Sequence, residues 1–349
     1  MGMIQYLQVD QYGAFISKHS ERLIVVKGKE KLIQAPLIHL ESVLISNHGV
    51  SISSDAIQEC TERGIPIYFI SHNGAPYASL YSAGLTGTVI TRRAQYEALQ
   101  TIQGLRLVLS IGIGKMQNQS TLLKYMSKYR KGTDPTLFQE LRLLSTEILD
   151  HVIEMEKITQ RPEYQSGSLR IADVREEILG IEGRAAQKYW RGVKQILPER
   201  YGFPGRVRKG AKDPINSALN YGYGILYGQI ERSLVLAGLD PFAGFLHVDR
   251  PGKPSLTLDF IEEFRPVAVD RVIFGMANKN MPFELDGEGL LTRETRLIIA
   301  EKITERLEST VPFEGKQYPL RNIMQMQARH VATFLRGEKE TYTPLQVRW

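Results

Sequence analysis

His247, Asp259 and Glu262 are the residues of this sequence whose types and spacing could do chemistry. His247 closes the run Gly244-Phe245-Leu246-His247, and Pro254-Ser255 then open a second run that reaches Asp259 and Glu262. Pro254 and Ser255 mark a helix start, and Leu256, Phe260, Ile261 and Phe264 recur behind them at helical spacing. On that helix Asp259 and Glu262 stand at i and i+3, so their carboxylates project from neighbouring points of one face. His247 falls on the loop that feeds the helix. One imidazole and two carboxylates form a mixed nitrogen–oxygen set suited to a hard divalent cation. A solvated surface uses the same residue types, so this segment by itself leaves both readings open.

Glu182 adds weight to the first. The stretch Asp173 to Leu197 reads as one long helix with Asp173 as its N-cap and an apolar stripe of Val174, Ile178, Ile181, Ala185, Tyr189 and Val193. Glu182 lies four residues after Ile178, at the core edge of that stripe. Gly180 and Gly183 flank it, which costs helix propensity but lets another backbone come close. A carboxylate turned inward needs a partner, because an unpaired buried charge is expensive. A cation shared with His247 and Glu262 would be one.

Charge is distributed unevenly. Over the 349 residues the formal net charge is +6, a mild lean towards polyanions. Between Arg184 and Lys212 stand nine basic residues (Arg184, Lys188, Arg191, Lys194, Arg200, Arg206, Arg208, Lys209, Lys212) and one acid, Glu199. Tyr189, Trp190, Tyr201 and Phe203 are interleaved, and Gly-Pro punctuation makes 198–212 a loop. Basic residues with aromatics among them predict a surface that tracks phosphates and stacks on bases, against the alternative of a solvated basic face.

These residues need elements to position them. The first ninety or so read as β-rich, with strands at Tyr6–Val9, Phe15–Ser17, Leu23–Lys27, Lys31–Ala35, Ser42–Ile45, Ile67–Ile70 and Tyr77–Ser82. One short helix, Ser54 to Arg63, is read as capped by Ser54 and closed by Gly64. From Arg92 to about Leu335 the periodicity turns helical. The fold class is therefore α+β: a β-rich N-terminal domain with its linker (1–93, the boundary at 83–93), then an all-α domain (94–349) ending in a loose tail. A second long helix starts at Asp213-Pro214 and ends near Ala237-Gly238, apolar nearly all round and hence central. Its Asn216, Asn220 and Tyr223 need partners, either structural hydrogen bonds or contacts to the metal shell or DNA. The longest apolar runs, such as Ile65–Ile70, are strand-sized, which predicts no membrane span. The lone Cys60 fits a reducing cytoplasm, and no secretory signal pattern opens the chain.

Several ordered motifs carry a resemblance. Lys115-Met116-Gln117-Asn118-Gln119, Gly180-Ile181-Glu182-Gly183, Asp213 through Tyr223, Gly244 through His247, and Leu258-Asp259-Phe260-Ile261-Glu262-Glu263-Phe264-Arg265-Pro266 follow one another as they do in the CRISPR-associated spacer-acquisition integrases. The chain resembles that family, of the first-numbered Cas protein, over essentially its whole length. The resemblance implies a metal-dependent DNA endonuclease and integrase with Glu182, His247 and Glu262 as ligands of Mg²⁺ or Mn²⁺. Some members carry Asp where Glu262 stands, and Asp259 matches a further family acid in a supporting catalytic role. Arg184, Lys188, Arg206, Arg208, Lys212, Asn216 and Tyr223 are then the expected DNA contacts.

The resemblance further implies a homodimer in a heterohexamer with the small second-numbered Cas protein, holding spacer-precursor DNA for joining to the CRISPR repeat. The implied reaction is attack of a 3′-hydroxyl on a repeat phosphodiester. No Ser or Cys nucleophile is called for, and no GxxxxGK[ST] phosphate loop is present, so ATP is not implied. Two other readings stay open: a nuclease that cleaves without joining, and a non-catalytic DNA-binding assembly protein.

Overall fold

The computed structural model describes residues 6–40, 42–71, 76–80, 89–208, 210–248 and 251–349. The chain forms two compact units, Met1–Thr86 and Gly87–Trp349. In the first, β1 (Tyr6–Val9), β2 (Phe15–His19), β3 (Arg22–Lys27), β4 (Glu30–Pro36), β5 (Ser42–Ile45) and β6 (Ser51–Ile52) precede α1 (Ser54–Glu62), β7 (Ile67–Ile70) and β8 (Pro76–Leu80). They make two four-stranded sheets, ordered β1-β5-β7-β8 and β4-β3-β2-β6. β5 pairs in parallel with β1 and β7; the β2–β4 strands return the chain between the first pair and α1 between the second. The alternation that marked these strands is the core face: Leu7 and Val9, Leu23 and Val25, Val43 and Ile45 are buried. Cys60 lies in that core, where burial pushes its thiol up to about 12 and leaves it inert.

Three details differ from the sequence reading. α1 is capped by Ser53, whose hydroxyl accepts from Ala56 N–H, rather than by Ser54. The short strand β6 carried no signal because two residues are too few for a pattern. Tyr81, Ser82 and the 83–88 part of the expected linker lie outside the described residues, whereas Val89–Arg93 belong to a helix of the second unit.

That unit contains α2 (Val89–Ala98), α3 (Ile102–Ser127), α4 (Pro135–Glu156), α5 (Pro162–Gln165), α6 (Ile171–Ile196) and α7 (Pro214–Leu236). α8 (Ser255–Phe260), α9 (Arg271–Asn278), α10 (Arg293–Glu308) and α11 (Leu320–Leu335) complete it. It is largely helical but not all helical: β9 (Thr310–Phe313) and β10 (Lys316–Pro319) form a hairpin around Glu314 and Gly315, both at positive φ. α3, α4 and α6 pack together, and α7 is buried beneath α10 and α11. α7 begins as its sequence announces, with the Asp213 side chain accepting from Asn216 N–H and Pro214 in the first turn. α6 starts earlier than expected, at Ile171. Asp173 is in its first turn, accepting the Arg170 N–H at 2.9 Å, instead of standing before it.

The helix read through Asp259 and Glu262 is broken into pieces. After α8 the backbone tightens into a 3₁₀ turn over Ile261–Glu263, then widens into a π turn over Pro266–Asp270 before α9. Pro266 has no N–H to give to a helical ladder, which accounts for the irregularity there. The tail is likewise not loose. Tyr342, Leu345 and Val347 are buried. Glu263 accepts from Tyr342 Oη (2.6 Å) and Leu345 N–H (2.6 Å), and Asn118 exchanges bonds with Leu345 and Val347.

Candidate active site

Three elements far apart in sequence bring Glu182, Glu262 and Lys115 to one point. α6 carries Glu182, the 3₁₀ turn carries Glu262, and α3 carries Lys115, whose Nζ lies 3.0 Å from Glu182 Oε2 and 2.8 Å from Glu262 Oε2. All three side chains are at most 12% exposed. Arg265, three residues on, pairs with the other oxygen of Glu262. Burial alone would raise the pKa of Glu262, but Arg265 and Lys115 outweigh it and hold the carboxyl down at about 2. For Lys115 burial works against the charge too, and the two carboxylates more than offset it, so its pKa stands above the usual lysine value. Lys115 and Glu262 thus each hold the other in its charged form.

His247 arrives from the loop before α8, and Asp259 builds that loop. Asp259 Oδ2 accepts from the backbone N–H groups of Phe245 (2.6 Å) and Leu246 (3.0 Å). Its Oδ1 accepts from His247 N–H (3.0 Å) and lies 2.6 Å from His247 Nδ1. The expected convergence of Asp259 and Glu262 is thereby corrected: one shapes the His247 loop while the other faces Lys115. Gly244 is required for this turn, since a Cβ there would fall 2.6 Å from the Ser255 backbone. Gln95 of α2 fixes the loop from outside, bonding Asp240 and Ala243 through both ends of its amide. With Nδ1 held by a carboxylate, the ring of His247 keeps Nε2 for a ligand, the arrangement that metal-binding histidines use. The His247 ring is close enough to Glu262 to add to the field that holds that carboxyl ionised.

Among the described residues no three His, Cys, Asp or Glu side chains are grouped as a ready metal cage. The ammonium of Lys115 stands between the two glutamates instead. Sequence reasoning quoted Lys115 within a motif but assigned it no role. The signal was there: Lys115 lies four residues after Ile111 and seven before Leu122, on a buried stripe of α3 where a charge must have partners. Glu263, Asn118 and Asp270 were missed as well. Asp270 is buried and takes hydrogen bonds from Tyr189 (2.6 Å) and Tyr223.

The expected DNA contacts separate into two kinds. Arg184 pairs with Glu154, Lys188 with Glu147 at 2.8 Å and Arg191 with Glu140 at 2.8 Å. Glu140, Glu147 and Glu154 are seven apart on α4 and meet α6 as a ladder, which pairs three of the nine basic residues. Arg206 is packed inward over the rings of Trp190 and Tyr223 and bonds Asn216 and Asn220. Asn216 in turn holds Gly205 O and Val207 N–H, so it organises the loop rather than presenting itself. Tyr223 is committed to Asp270. Arg208 and Lys212 are exposed, and Lys209 lies outside the described residues.

Comparison with known proteins decides the family. The sequence profile of CRISPR associated protein Cas1 matches residues 7–305. The chain belongs to the Cas1 family of CRISPR-associated endonucleases. A curated Cas1 endonuclease of Archaeoglobus fulgidus is 35% identical, covering 98% of this chain and 99% of its own. The fold is that of a Cas1 protein from Thermotoga maritima, at a TM-score of 0.76 and 17% identity over 98% of this chain and all of that one. Structures sharing it include a Cas6-RT-Cas1–Cas2 complex (TM-score 0.73, 20% identity, 98% of this chain and 36% of that) and a Cas1–DNA complex (0.57, 18%, 93% and 91%). Within this Cas1 chain no described helix is long and apolar enough to cross a membrane.

Proposed function

We propose that this Cas1 chain is a divalent-metal-dependent DNA endonuclease and integrase that joins captured DNA fragments to a CRISPR repeat as new spacers. The observation that carries the reading is the meeting of Glu182 and Glu262, 80 residues apart, on one buried cation, beside a histidine oriented by a carboxylate. Such a pair of carboxylates is built to face positive charge, and drawn together with His247 Nε2 in place of the Lys115 ammonium it would make a mixed nitrogen–oxygen set of the chemistry that Mg²⁺ or Mn²⁺ takes. Glu182, Glu262 and His247 would hold the ion. When bound, the ion neutralises charge at the scissile phosphate and polarises the attacking oxygen.

The chain's own groups do the rest. Lys115 keeps a second positive charge at the carboxylates and, drawn aside, can meet a phosphate oxygen. Asp259 holds the His247 ring in one orientation through the loop N–H groups. Arg265 keeps Glu262 ionised. In the joining step a 3′-hydroxyl oxygen forms a bond to a repeat phosphorus while the repeat's own 3′ oxygen leaves, so no covalent enzyme intermediate arises. Arg208 and Lys212 are the members of the basic loop placed to meet the phosphate backbone.

Relatives named as endonucleases and solved assemblies of this fold with Cas2 and with DNA support DNA and Cas2 as partners; the proposal extends these to spacer-precursor DNA, the CRISPR repeat and a second copy, in the cytoplasm. The test is strand joining. A labelled oligonucleotide with free 3′-hydroxyls, incubated with Mn²⁺ and a supercoiled plasmid carrying a repeat, should become covalently attached to the plasmid at the repeat ends. Nicking without attachment of label would reduce the chain to a nuclease.

A further inference from the structure

The α4–α6 ladder pairs Arg184, Lys188 and Arg191 with acids, yet a different surface of the helical unit keeps its positive charge. A cleft of about 1170 Å³ opens between the end of α3, α9, α10 and β9. Six of its lining residues are Lys or Arg and one, Glu305, is acidic. Glu305 is itself taken by Lys302 at 2.8 Å. Two guanidiniums form the floor. Arg271 is stacked between Trp349 and Tyr125, 4.7 and 5.2 Å from their ring centroids. Arg306 donates to Val267 O (3.0 Å) and Ser309 Oγ (2.8 Å), while its buried Nη2 has no hydrogen-bond partner.

Among the described residues no carboxylate pairs with either arginine. Burial chiefly, and then the charge of Arg271, lowers the pKa of Arg306 to about 10. At the rim Tyr129 is 70% exposed and meets Tyr125 edge-on at 6.1 Å. A guanidinium pair lacking an anion, beside an exposed ring, is the chemistry that holds a phosphate and stacks the base attached to it.

We propose that this cleft is a second nucleic-acid site of the chain, one that takes single-stranded DNA. Arg271 and Arg306 receive a backbone phosphate, Tyr129 offers its ring to an unstacked base, and Lys279 at the rim meets the next phosphate. Duplex DNA fits less well, because its bases are already stacked and present no faces to a ring. None of Lys115, Glu182, His247 and Glu262 lines the cleft. Tyr125 is ten residues beyond Lys115 on α3, about 15 Å along the helix. One bound strand can therefore reach from the cleft towards the junction, but the cleft binds whether or not the junction cuts.

Trp349 is a built-in reporter, since the sequence has only one other tryptophan, Trp190. The full chain is titrated in EDTA with a mixed-sequence 12-nucleotide single strand carrying a 5′ label, following label anisotropy and tryptophan emission together. Saturation should quench emission in wild type, and the Trp349→Phe variant should lack that component. Tyr129→Ala combined with Lys279→Glu alters exposed side chains only. It should weaken single-strand affinity about tenfold and reduce the logarithmic salt slope by about 0.7, leaving duplex affinity unchanged. Glu262→Gln should bind as wild type does, which keeps this result separate from the cleavage reading. Emission from Trp349 that stays constant while anisotropy saturates, or a double variant that binds single strands undiminished, would overturn the site. Equal quenching by poly-glutamate would overturn the nucleic-acid assignment, because the cleft would then be reading charge alone.

Discussion

Lys115 decides how the junction behaves without an ion. Its ammonium keeps two buried carboxylates apart at 3.0 and 2.8 Å, and removing it leaves like charges facing each other. Breaking a buried ion pair from one side costs about 3–5 kcal/mol. Lys115→Met should therefore melt well below wild type in EDTA and regain more of that loss on adding Mn²⁺ than wild type gains, because the ion then replaces the missing charge. Equal Mn²⁺ shifts in the two proteins would show that the ammonium and the ion do not share a place. Glu182, His247 and Glu262 were legible one by one, as polar groups in apolar or glycine-flanked contexts. The lysine shared by Glu182 and Glu262 was not, because a residue 67 positions from Glu182 meets it only through the packing of α3 on α6. Asp259 was given a supporting role by the resemblance alone, and its bonds to the backbone N–H groups of Phe245, Leu246 and His247 have no sequence signature.

Among the elements, α7 was readable because its punctuation is local: Asp213 and Pro214 at one end, Gly238 at the other. The tail was not, because what pins Tyr342 and Leu345 is Glu263, 79 and 82 residues earlier. Asp270 joins α6, α7 and the π turn through two tyrosines, and burial raises its pKa from 3.8 to about 6 despite their hydrogen bonds. A carboxyl with a raised folded-state pKa favours its protonated form. Its contribution is thus complete below about 4 and lost as pH rises through 6. The stability of wild type relative to Asp270→Asn should fall over that window by about 3 kcal/mol, measured by denaturant melts at each pH. A difference that stays flat from pH 4 to 7 would mean that the tyrosines, rather than burial, set the state of Asp270.

For the whole molecule, composition showed a basic chain but not where the charge is spent. Acids seven apart on α4 cancel basic residues that look unopposed in sequence, a pairing visible only when two helices are laid side by side. Arg208 and Lys212 remain. Arg208→Glu with Lys212→Glu should flatten the logarithmic salt dependence of duplex binding by roughly two units, at about 0.9 per phosphate contact. An unchanged slope would make the loop a solvated face. The succession of a β-sheet region and a largely helical one was legible in the change of periodicity. The β-rich unit carries none of the candidate ligands, and its Tyr12, Ile38 and Tyr77 are exposed, so the proposed second copy would have apolar surface to cover there. A fragment beginning at Gly87, so that α2 stays with the helices it packs on, should bind DNA yet scatter light as a monomer and integrate poorly. A dimeric fragment with full joining activity would remove the first unit from assembly.

The central claim, that Glu182, His247 and Glu262 hold one catalytic divalent ion, is tested most directly by anomalous diffraction from crystals equilibrated with Mn²⁺. The account predicts a single strong peak within about 2.0–2.6 Å of an oxygen of each glutamate and of His247 Nε2, with Lys115 displaced from between the carboxylates. A peak elsewhere, or Lys115 unmoved between Glu182 and Glu262 in a crystal form that still cleaves DNA, would contradict it.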